Sequence, residues 1–221
     1  MARVAAIAVE AAPGKAEVFA WRVVFACFCV AVMGWGFGFY GQAVYLAELQ
    51  RMHGWSASLI STATTVYYLF GAALLTFAHD AISRLGPRWV LFGGAVVMAL
   101  AAIGASLAMA PWQLYACSLL MAFGWAGTSS TAITTTVALW FDQKRGLAIS
   151  LALNGASVAG FTVAPALVYL SSRFGLPASV IGVAGGMVVL LCPILLLGLR
   201  DPPAEPAGTG HAAFDVVTKL L

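Results

Sequence analysis

The chain has 221 residues, of which 62% are hydrophobic and only 9% are charged. Soluble domains carry about 25% charged residues, and a chain this apolar lacks the polar residues that would coat a soluble core. Its net charge of +3 is too small to indicate a nucleic-acid partner. The composition therefore predicts a membrane protein, with the lipid bilayer as its surroundings.

The apolar residues form six long runs after a short lead, residues 1–20, which lacks the apolar core of a signal peptide. Each run has the roughly 20 residues that a helix needs to cross a hydrocarbon core of about 30 Å. The runs are too long for transmembrane strands and do not alternate. The predicted spans are 21–47, 57–78, 89–109, 112–139, 147–171 and 177–199.

The distribution of Lys and Arg predicts the orientation of these spans. With the N-terminus in the cytoplasm, nine of the eleven basic residues lie inside, and only Arg51 and Arg173 lie outside. Cytoplasmic loops carry such an excess of basic residues. We therefore expect a multi-pass protein of the plasma (inner) membrane. Its N-terminus and its linker-like tail, residues 200–221, are both predicted to be cytoplasmic.

Two short motifs recur at an almost constant distance. Gly34-Trp35-Gly36 returns as Gly124-Trp125 at an offset of 90, and Ser83-Arg84-Leu85-Gly86 returns as Ser172-Arg173-Phe174-Gly175 at an offset of 89. Because three is an odd number of membrane crossings, the second copy of a three-span repeat has the opposite orientation in the membrane. Such inverted repeats are typical of transporters. The predicted fold is therefore an all-α membrane protein with six transmembrane helices in two inverted repeats, 21–110 and 111–199. The alternative is that such motifs are simply common at helix ends.

The middle of every predicted span is free of Asp, Glu, Lys, Arg and His. Such residues cost about 2.5–3.5 kcal/mol at the centre of a bilayer and usually mark a functional site. Membrane enzymes are disfavoured, because the chain has no His-Glu-x-x-His helix and its sixth predicted span has no His to partner Ser157. No catalytic residue, metal site or cofactor is predicted, and the chain is not expected to be an enzyme.

The spans instead carry aromatic and neutral polar side chains. Trp35 and Trp125 lie near mid-depth at equivalent repeat positions, where they either line a cavity or pack. Asn154 needs a hydrogen-bond partner in a dry site, supplied by a neighbouring helix or by a ligand. Paired small residues, such as Gly34 with Gly38 and Gly182 with Gly186, favour close helix packing. The outer halves of the first two spans hold possible vestibule residues, namely Tyr40, Gln42, Tyr45, Tyr67 and Tyr68.

Three pieces of the chain carry a family resemblance. They are His53-Gly54-Trp55-Ser56, the loop Arg84-Leu85-Gly86-Pro87-Arg88, and Trp140-Phe141-x-x-Lys144-Arg145-Gly146 leading to Asn154-Gly155-Ala156-Ser157. Residues 20–200 resemble the N-terminal half of a major facilitator superfamily transporter. Within that superfamily they are similar to the monocarboxylate-transporter and oxalate/formate-antiporter branch. The resemblance implies half of a twelve-helix fold.

The resemblance also implies roles for particular residues. In the family, the first and fourth spans line the central pathway, which makes Trp35, Phe39, Gln42, Trp125 and Ser129 lining candidates. Tyr40, Tyr45 and Asn154 complete the set of substrate-pathway candidates.

The cytoplasmic loops supply candidate gating residues. The family loop between the second and third spans reads Gly-x-x-x-Asp-Arg-x-Gly-x-Arg. Arg84, Gly86 and Arg88 match it, but Ser83 holds the acid position. Asp80 is spaced i, i+4 to Arg84, the order that favours a helical ion pair, so Asp80 either replaces the acid in a latch or the arginines are only cytoplasmic anchors. Asp142, Lys144 and Arg145, between the fourth and fifth spans, are the other gating candidates.

The predicted function is that of the N-terminal half of a secondary active transporter. It would move small organic solutes, including monocarboxylate-type anions, by alternating access. The expected partners are the bilayer, a small solute and a second six-helix half that supplies the cationic group, with no nucleic acid. The alternative is a truncated or non-transporting membrane protein that acts as a remnant or an interaction module.

Overall fold

The structure is a computed structural model that describes residues 13–141 and 143–198. Within those ranges the chain is helical and contains no strand. A bilayer offers no water to backbone groups, so a helix that pairs them internally is the expected solution. Asp142, the start of the lead and the predicted tail lie outside the described residues. The elements are α1 (Pro13–Trp35), a π-helical segment (Gly36–Tyr40), α2 (Gly41–His53), α3 (Ala57–Leu75), α4 (Ala78–Leu85), α5 (Pro87–Ser106), α6 (Pro111–Thr128), α7 (Ser130–Ala138), α8 (Arg145–Phe174) and α9 (Leu176–Gly198).

Five of the predicted spans are helices long and apolar enough to cross a membrane. They are Val18–His53, Ala57–Leu75, Pro87–Ser106, Arg145–Phe174 and Leu176–Leu196. The first runs without interruption through most of α1, the π-helical segment and α2. The remaining predicted span, 112–139, is not a single helix, because it is interrupted at Ser129 between α6 and α7.

The interruption at Ser129 is a capped helix start inside the bundle. Ser129 has extended backbone angles (φ −66°, ψ 164°), and its hydroxyl accepts a hydrogen bond from the Ala132 N–H at 3.2 Å. The same hydroxyl donates to the Ala126 carbonyl at 2.9 Å. Side-chain capping satisfies backbone donors that a helix start would otherwise leave unpaired. The break therefore costs little, although Ser129 is only 1% exposed.

We expect Ser129→Ala to destabilise the chain by about 1 kcal/mol, the usual effect of losing an N-cap side chain. Ser130→Ala is the matched control, because Ser130 is the exposed first residue of α7 and does not cap it. Thermal unfolding of the purified protein in detergent measures both variants. Equal midpoints for the two variants would contradict the capping role.

The most extensive helix contact joins α5 and α6. A Cβ added at Gly124 would lie 2.6 Å from the backbone nitrogen of Met98, and one at Gly94 would lie 2.8 Å from the Gly127 Cα. Small residues at such sites allow backbones to approach closely where no hydrophobic driving force exists between helices. The other main contacts are α1 with α8, α3 with α6, and α9 with α5, α8 and α1.

The predicted packing role holds for one glycine pair and fails for another. At Gly34 an added Cβ would lie 2.7 Å from the Thr128 Oγ1, and at Gly38 it would lie 2.7 Å from the Tyr67 hydroxyl. At Gly182 and Gly186 it would meet nothing within 4 Å. The prediction of close helix packing at the latter pair is wrong, because these two glycines lie on the exposed face of α9, while Val180 and Ala184 on its other face are buried.

Two turns 89 residues apart have almost the same backbone geometry. Gly86 has φ 82° and ψ 151°, and Gly175 has φ 81° and ψ 160°. The Gly86 N–H bonds the Ile82 carbonyl at 2.9 Å, and the Gly175 N–H bonds the Ser171 carbonyl at 3.0 Å. Positive φ is available to glycine without steric cost. The turns that begin α5 and α9 are therefore built in the same way.

Candidate functional site

An aromatic cluster joins the first, second and fourth spans. The Trp35 and Trp125 rings meet edge to face with centroids 5.3 Å apart, and Phe39 lies 5.5 Å from Trp35. The Tyr67 ring lies 6.3 Å from Trp125, in an arrangement that aromatic pairs favour. The aromatic cluster consists of Trp35, Phe39, Tyr40, Tyr67, Tyr68 and Trp125.

The local backbone brings these rings together. The π-helical segment Gly36–Tyr40 follows Trp35 and carries Phe39 and Tyr40 at its end. The Gly41 N–H donates a hydrogen bond to the Gly36 carbonyl. Single π turns inside α-helices are frequently found at functional sites. Gly38 has no side chain, so Tyr67 and Trp125 can both approach this turn. The hydroxyl of Tyr68 donates to the Gly38 carbonyl at 3.4 Å.

Three polar atoms in and beside the aromatic cluster have no partner. The Trp35 Nε1, the Tyr67 hydroxyl and the Tyr45 hydroxyl are buried, and none forms a hydrogen bond within the described residues. Buried donors are usually paired, and each unpaired one costs about 1–3 kcal/mol. These atoms could donate to an acceptor such as a carboxylate oxygen.

Gln42 connects three spans beside the aromatic cluster. Its amide nitrogen donates to the Met121 sulfur at 3.1 Å, and its amide oxygen accepts from the Thr64 hydroxyl at 3.2 Å. Phe39 is 47% exposed, whereas Trp35, Tyr40, Gln42 and Trp125 are half-buried. The structure therefore brings these candidates to one region, with Phe39 the most open of them.

Ser129 and Asn154 lie apart from the aromatic cluster. The Ser129 hydroxyl is occupied in the α7 cap, as described above. Asn154 is exposed on α8, and its amide has no hydrogen bond within the described residues. It lies beside Gly155, whose missing side chain admits the Phe28 carbonyl of α1.

The candidate gating residues lie in two segments, one from α4 to the start of α5 and one at the start of α8. Gly86 forms the turn described above, while Asp80 and Arg84 are exposed on α4. Asp80 and Arg84 do not form the helical ion pair that their spacing favours. Within the described ranges, the salt bridge that forms joins Arg51 and Glu48 at 2.7 Å. An exposed helical pair is worth only a few tenths of a kcal/mol, too little to hold the two side chains together.

The remaining gating candidates lie around the start of α8 and the start of α5. Arg88 lies over the Trp89 ring at 5.4 Å. Lys144 is the N-cap residue of α8 and Arg145 is its first helical residue, with both side chains exposed. Asp142 lies outside the described residues. The two loops therefore present basic side chains at helix starts.

Sequence reasoning missed Thr64, Met121 and the π turn as parts of this region. Tyr67 was predicted only as a vestibule residue, whereas it is 1% exposed and packs against Trp125. The density of glycines between positions 34 and 41 was the available signal for the π turn. No periodicity in the sequence indicates Thr64 or Met121.

The long apolar helices define a multi-pass membrane protein. The sequence pattern of the Major Facilitator Superfamily matches residues 24–219. The chain belongs to that superfamily, which groups it with transporters and not with enzymes.

Several curated proteins are similar to the chain. Monocarboxylate transporter 13 of Rattus norvegicus is 31% identical over 161 residues, which is 70% of this chain and 36% of that protein. Monocarboxylate transporter 11 of Homo sapiens is 28% identical over 200 residues, which is 84% of this chain and 40% of that protein. An MFS-type transporter of Bacillus subtilis, YcxA, is 24% identical over 166 residues, covering 72% and 39%. The chain thus spans about two fifths of the length of these relatives.

Proposed function

We propose that the chain is the N-terminal half of a secondary active transporter for small organic solutes, and that monocarboxylate-type anions are its substrate class. The contact between Trp35 and Trp125, across the first and fourth spans, is the observation that carries this proposal. It joins two repeat-equivalent positions beside unpaired hydrogen-bond donors. The names of the relatives in rat and human support the substrate class.

The proposal includes six spans arranged as two inverted triplets. The fourth span is α6 followed by α7, joined through the capped break at Ser129. If the two triplets are exchanged, the first span takes the place of the fourth, the second of the fifth and the third of the sixth. The contact between α1 and α8 then becomes the contact between α6 and α3, and the contact between α5 and α9 is unchanged. The matching turns at Gly86 and Gly175 support the same exchange. Inverted repeats of this kind pack about an axis in the membrane plane.

The proposed substrate region suits a small carboxylate with an apolar body. The aromatic rings offer apolar surface, and the Trp35 Nε1 offers a donor without an acceptor. A charged substrate in a dry site also needs a counter-ion, and the described spans hold no basic residue at mid-depth. We therefore assign the cationic group to a second six-helix half.

The surfaces of α3 and α8 support the need for that second half. Exposed polar side chains line both helices. The Thr62 and Thr65 hydroxyls donate to the Ser58 and Ser61 carbonyls of their own helix, whereas lipid would offer no partner to the other side chains. Asn154 is the clearest case, because its amide has no partner. The exposed polar residues are Ser58, Ser61, Thr62 and Thr65 on α3, and Ser150, Asn154 and Ser157 on α8. We propose that the second half covers both surfaces and that alternate packing of the halves opens the pathway to each side in turn.

The proposed orientation places both basic loops in the cytoplasm of a cell bounded by the plasma (inner) membrane. In a variant without native cysteines, we expect Arg84→Cys and Arg145→Cys to react with an impermeant maleimide only after the membrane is opened. Arg51→Cys is the control and should react in intact cells. If residues 84 and 145 were labelled from opposite sides, the inverted-repeat topology would be wrong.

Transport itself is tested in proteoliposomes. We expect uptake of labelled lactate when the chain is reconstituted together with a second six-helix half from a related transporter, and none when the chain is alone. Liposomes that contain only the second half are the control. They should take up no lactate, which shows that uptake depends on this chain. If paired halves that co-purify still take up no monocarboxylate, the proposed substrate class fails and a non-transporting role is favoured.

A further inference from the structure

An apolar groove of about 340 Å³ opens on the outside of the bundle, away from the aromatic cluster. It lies between the end of α3, α4, the first half of α5, and α6. Phe77, Leu85 and Trp89 form its rim and are each more than half exposed. Along α5 the groove runs from Trp89 to Val97, about 12 Å at 1.5 Å per residue.

The floor of this groove is open because Gly93 has no side chain. A Cβ added at Gly93 would meet nothing within 4 Å, whereas its neighbour Gly94 packs against the backbone of α6. Ala81 and Ala126, which also line the groove, have short side chains that leave it open. The lining is therefore an uninterrupted apolar channel with room for a flexible chain.

Two arginines are the sequence neighbours of the rim residues Leu85 and Trp89. Arg84 precedes Leu85 at the end of α4, and Arg88 lies over the Trp89 ring at 5.4 Å. No carboxylate of the described residues lies within 4 Å of either guanidinium, and the Arg88 Nε is buried without an acceptor. Two arginines that form no salt bridge within the described residues thus adjoin the rim residues Leu85 and Trp89 of an apolar channel.

We propose that this groove binds one anionic glycerophospholipid, with an acyl chain along Gly93 and the phosphate on Arg84 and Arg88. Guanidinium groups bind phosphate through paired hydrogen bonds. Basic pockets between membrane helices bind anionic headgroups, while an apolar channel alone would take any lipid. The combination of channel and charge selects lipids by headgroup.

Native mass spectrometry of the full chain, purified and delipidated in detergent, tests this site. Phosphatidylglycerol and phosphatidylcholine with identical acyl chains are titrated separately. We expect one tightly bound phosphatidylglycerol, and binding roughly tenfold weaker when Arg84→Gln and Arg88→Gln are combined, with phosphatidylcholine unchanged. Gly93→Leu should remove the tight site because its side chain fills the channel, whereas Gly93→Ala should retain it.

Gly182→Leu is the matched control, since a side chain at Gly182 also meets nothing but lies on α9, away from the groove. It should bind phosphatidylglycerol as the unmodified chain does. Gel filtration and circular dichroism establish whether each variant is folded. If Gly93→Leu does not fold, Ala81→Leu takes its place, because its side chain fills the same channel from α4. The proposal is overturned if both phospholipids bind equally to the unmodified chain. It is also overturned if the folded channel-filling variant keeps the tight site.

Discussion

Gly94→Ala should lower the thermal midpoint of the chain, whereas Gly93→Ala, one residue earlier in the same helix, should not. The new methyl group at position 94 would lie 2.8 Å from both the Cα and the carbonyl carbon of Gly127. Backbone cannot move aside as a flexible side chain can, so α5 and α6 must separate. Overpacking of this kind costs about 1–3 kcal/mol. Each kcal/mol corresponds to about 2–4 °C for a chain of this size.

Gly93→Ala has the opposite expected sign. Its methyl group enters open space, and alanine is favoured over glycine within a helix by about 1 kcal/mol. Fluorescence-detected gel filtration after heating, in one detergent, measures both midpoints. Midpoints that fall equally would show that α5 and α6 are not in the contact described above.

The sequence was sufficient to predict the existence and type of most spans. Long apolar runs leave few structural options in a bilayer, so five of the six predicted spans are continuously helical and long enough to cross it. The turn glycines Gly86 and Gly175 were also visible, because both follow an Arg and a large apolar residue at a constant offset. These features depend on local chemistry, which a single sequence contains.

The break at Ser129 could not be predicted in the same way. Residues 127–131 lack proline, and the hydroxyl groups there could equally have bonded to the carbonyl one turn earlier in an unbroken helix. Thr128 does so, donating to the Gly124 carbonyl at 2.9 Å. Ser129 also donates to a carbonyl of the preceding turn, at Ala126, and yet caps α7. A hydroxyl in the sequence therefore does not by itself mark the break.

Helix-to-helix contacts were the least predictable feature. Helices that are apolar on all sides give no periodic signal for the face that a neighbour covers. The glycine pairs show this plainly, because Gly34 and Gly38 lie against side chains while Gly182 and Gly186 face open space. The sequence left open whether Trp35 and Trp125 line a cavity or pack, and it did not predict that the two rings contact each other.

Trp125→Ala should abolish most transport by the assembled halves, while Trp112→Ala, in the same helix, should leave it unchanged. Trp125 contacts Trp35 and Tyr67, whereas Trp112 is 69% exposed at the start of α6. Removing the ring leaves a cavity beside the unpaired Trp35 Nε1 and takes away apolar surface for the substrate. We expect lactate uptake to fall by at least about tenfold, equivalent to about 1.4 kcal/mol.

A loss of uptake could also come from misfolding, since burying less aromatic surface destabilises a core by about 3–5 kcal/mol for Trp→Ala. Trp125→Phe separates the two effects, because it retains a ring against Trp35 but has a smaller apolar surface. A lining role predicts that Trp125→Phe inserts normally and raises the apparent KM for lactate. A purely structural role predicts less inserted protein with an unchanged KM. Uptake per inserted molecule therefore decides whether Trp125 borders the substrate pathway or only packs beside it.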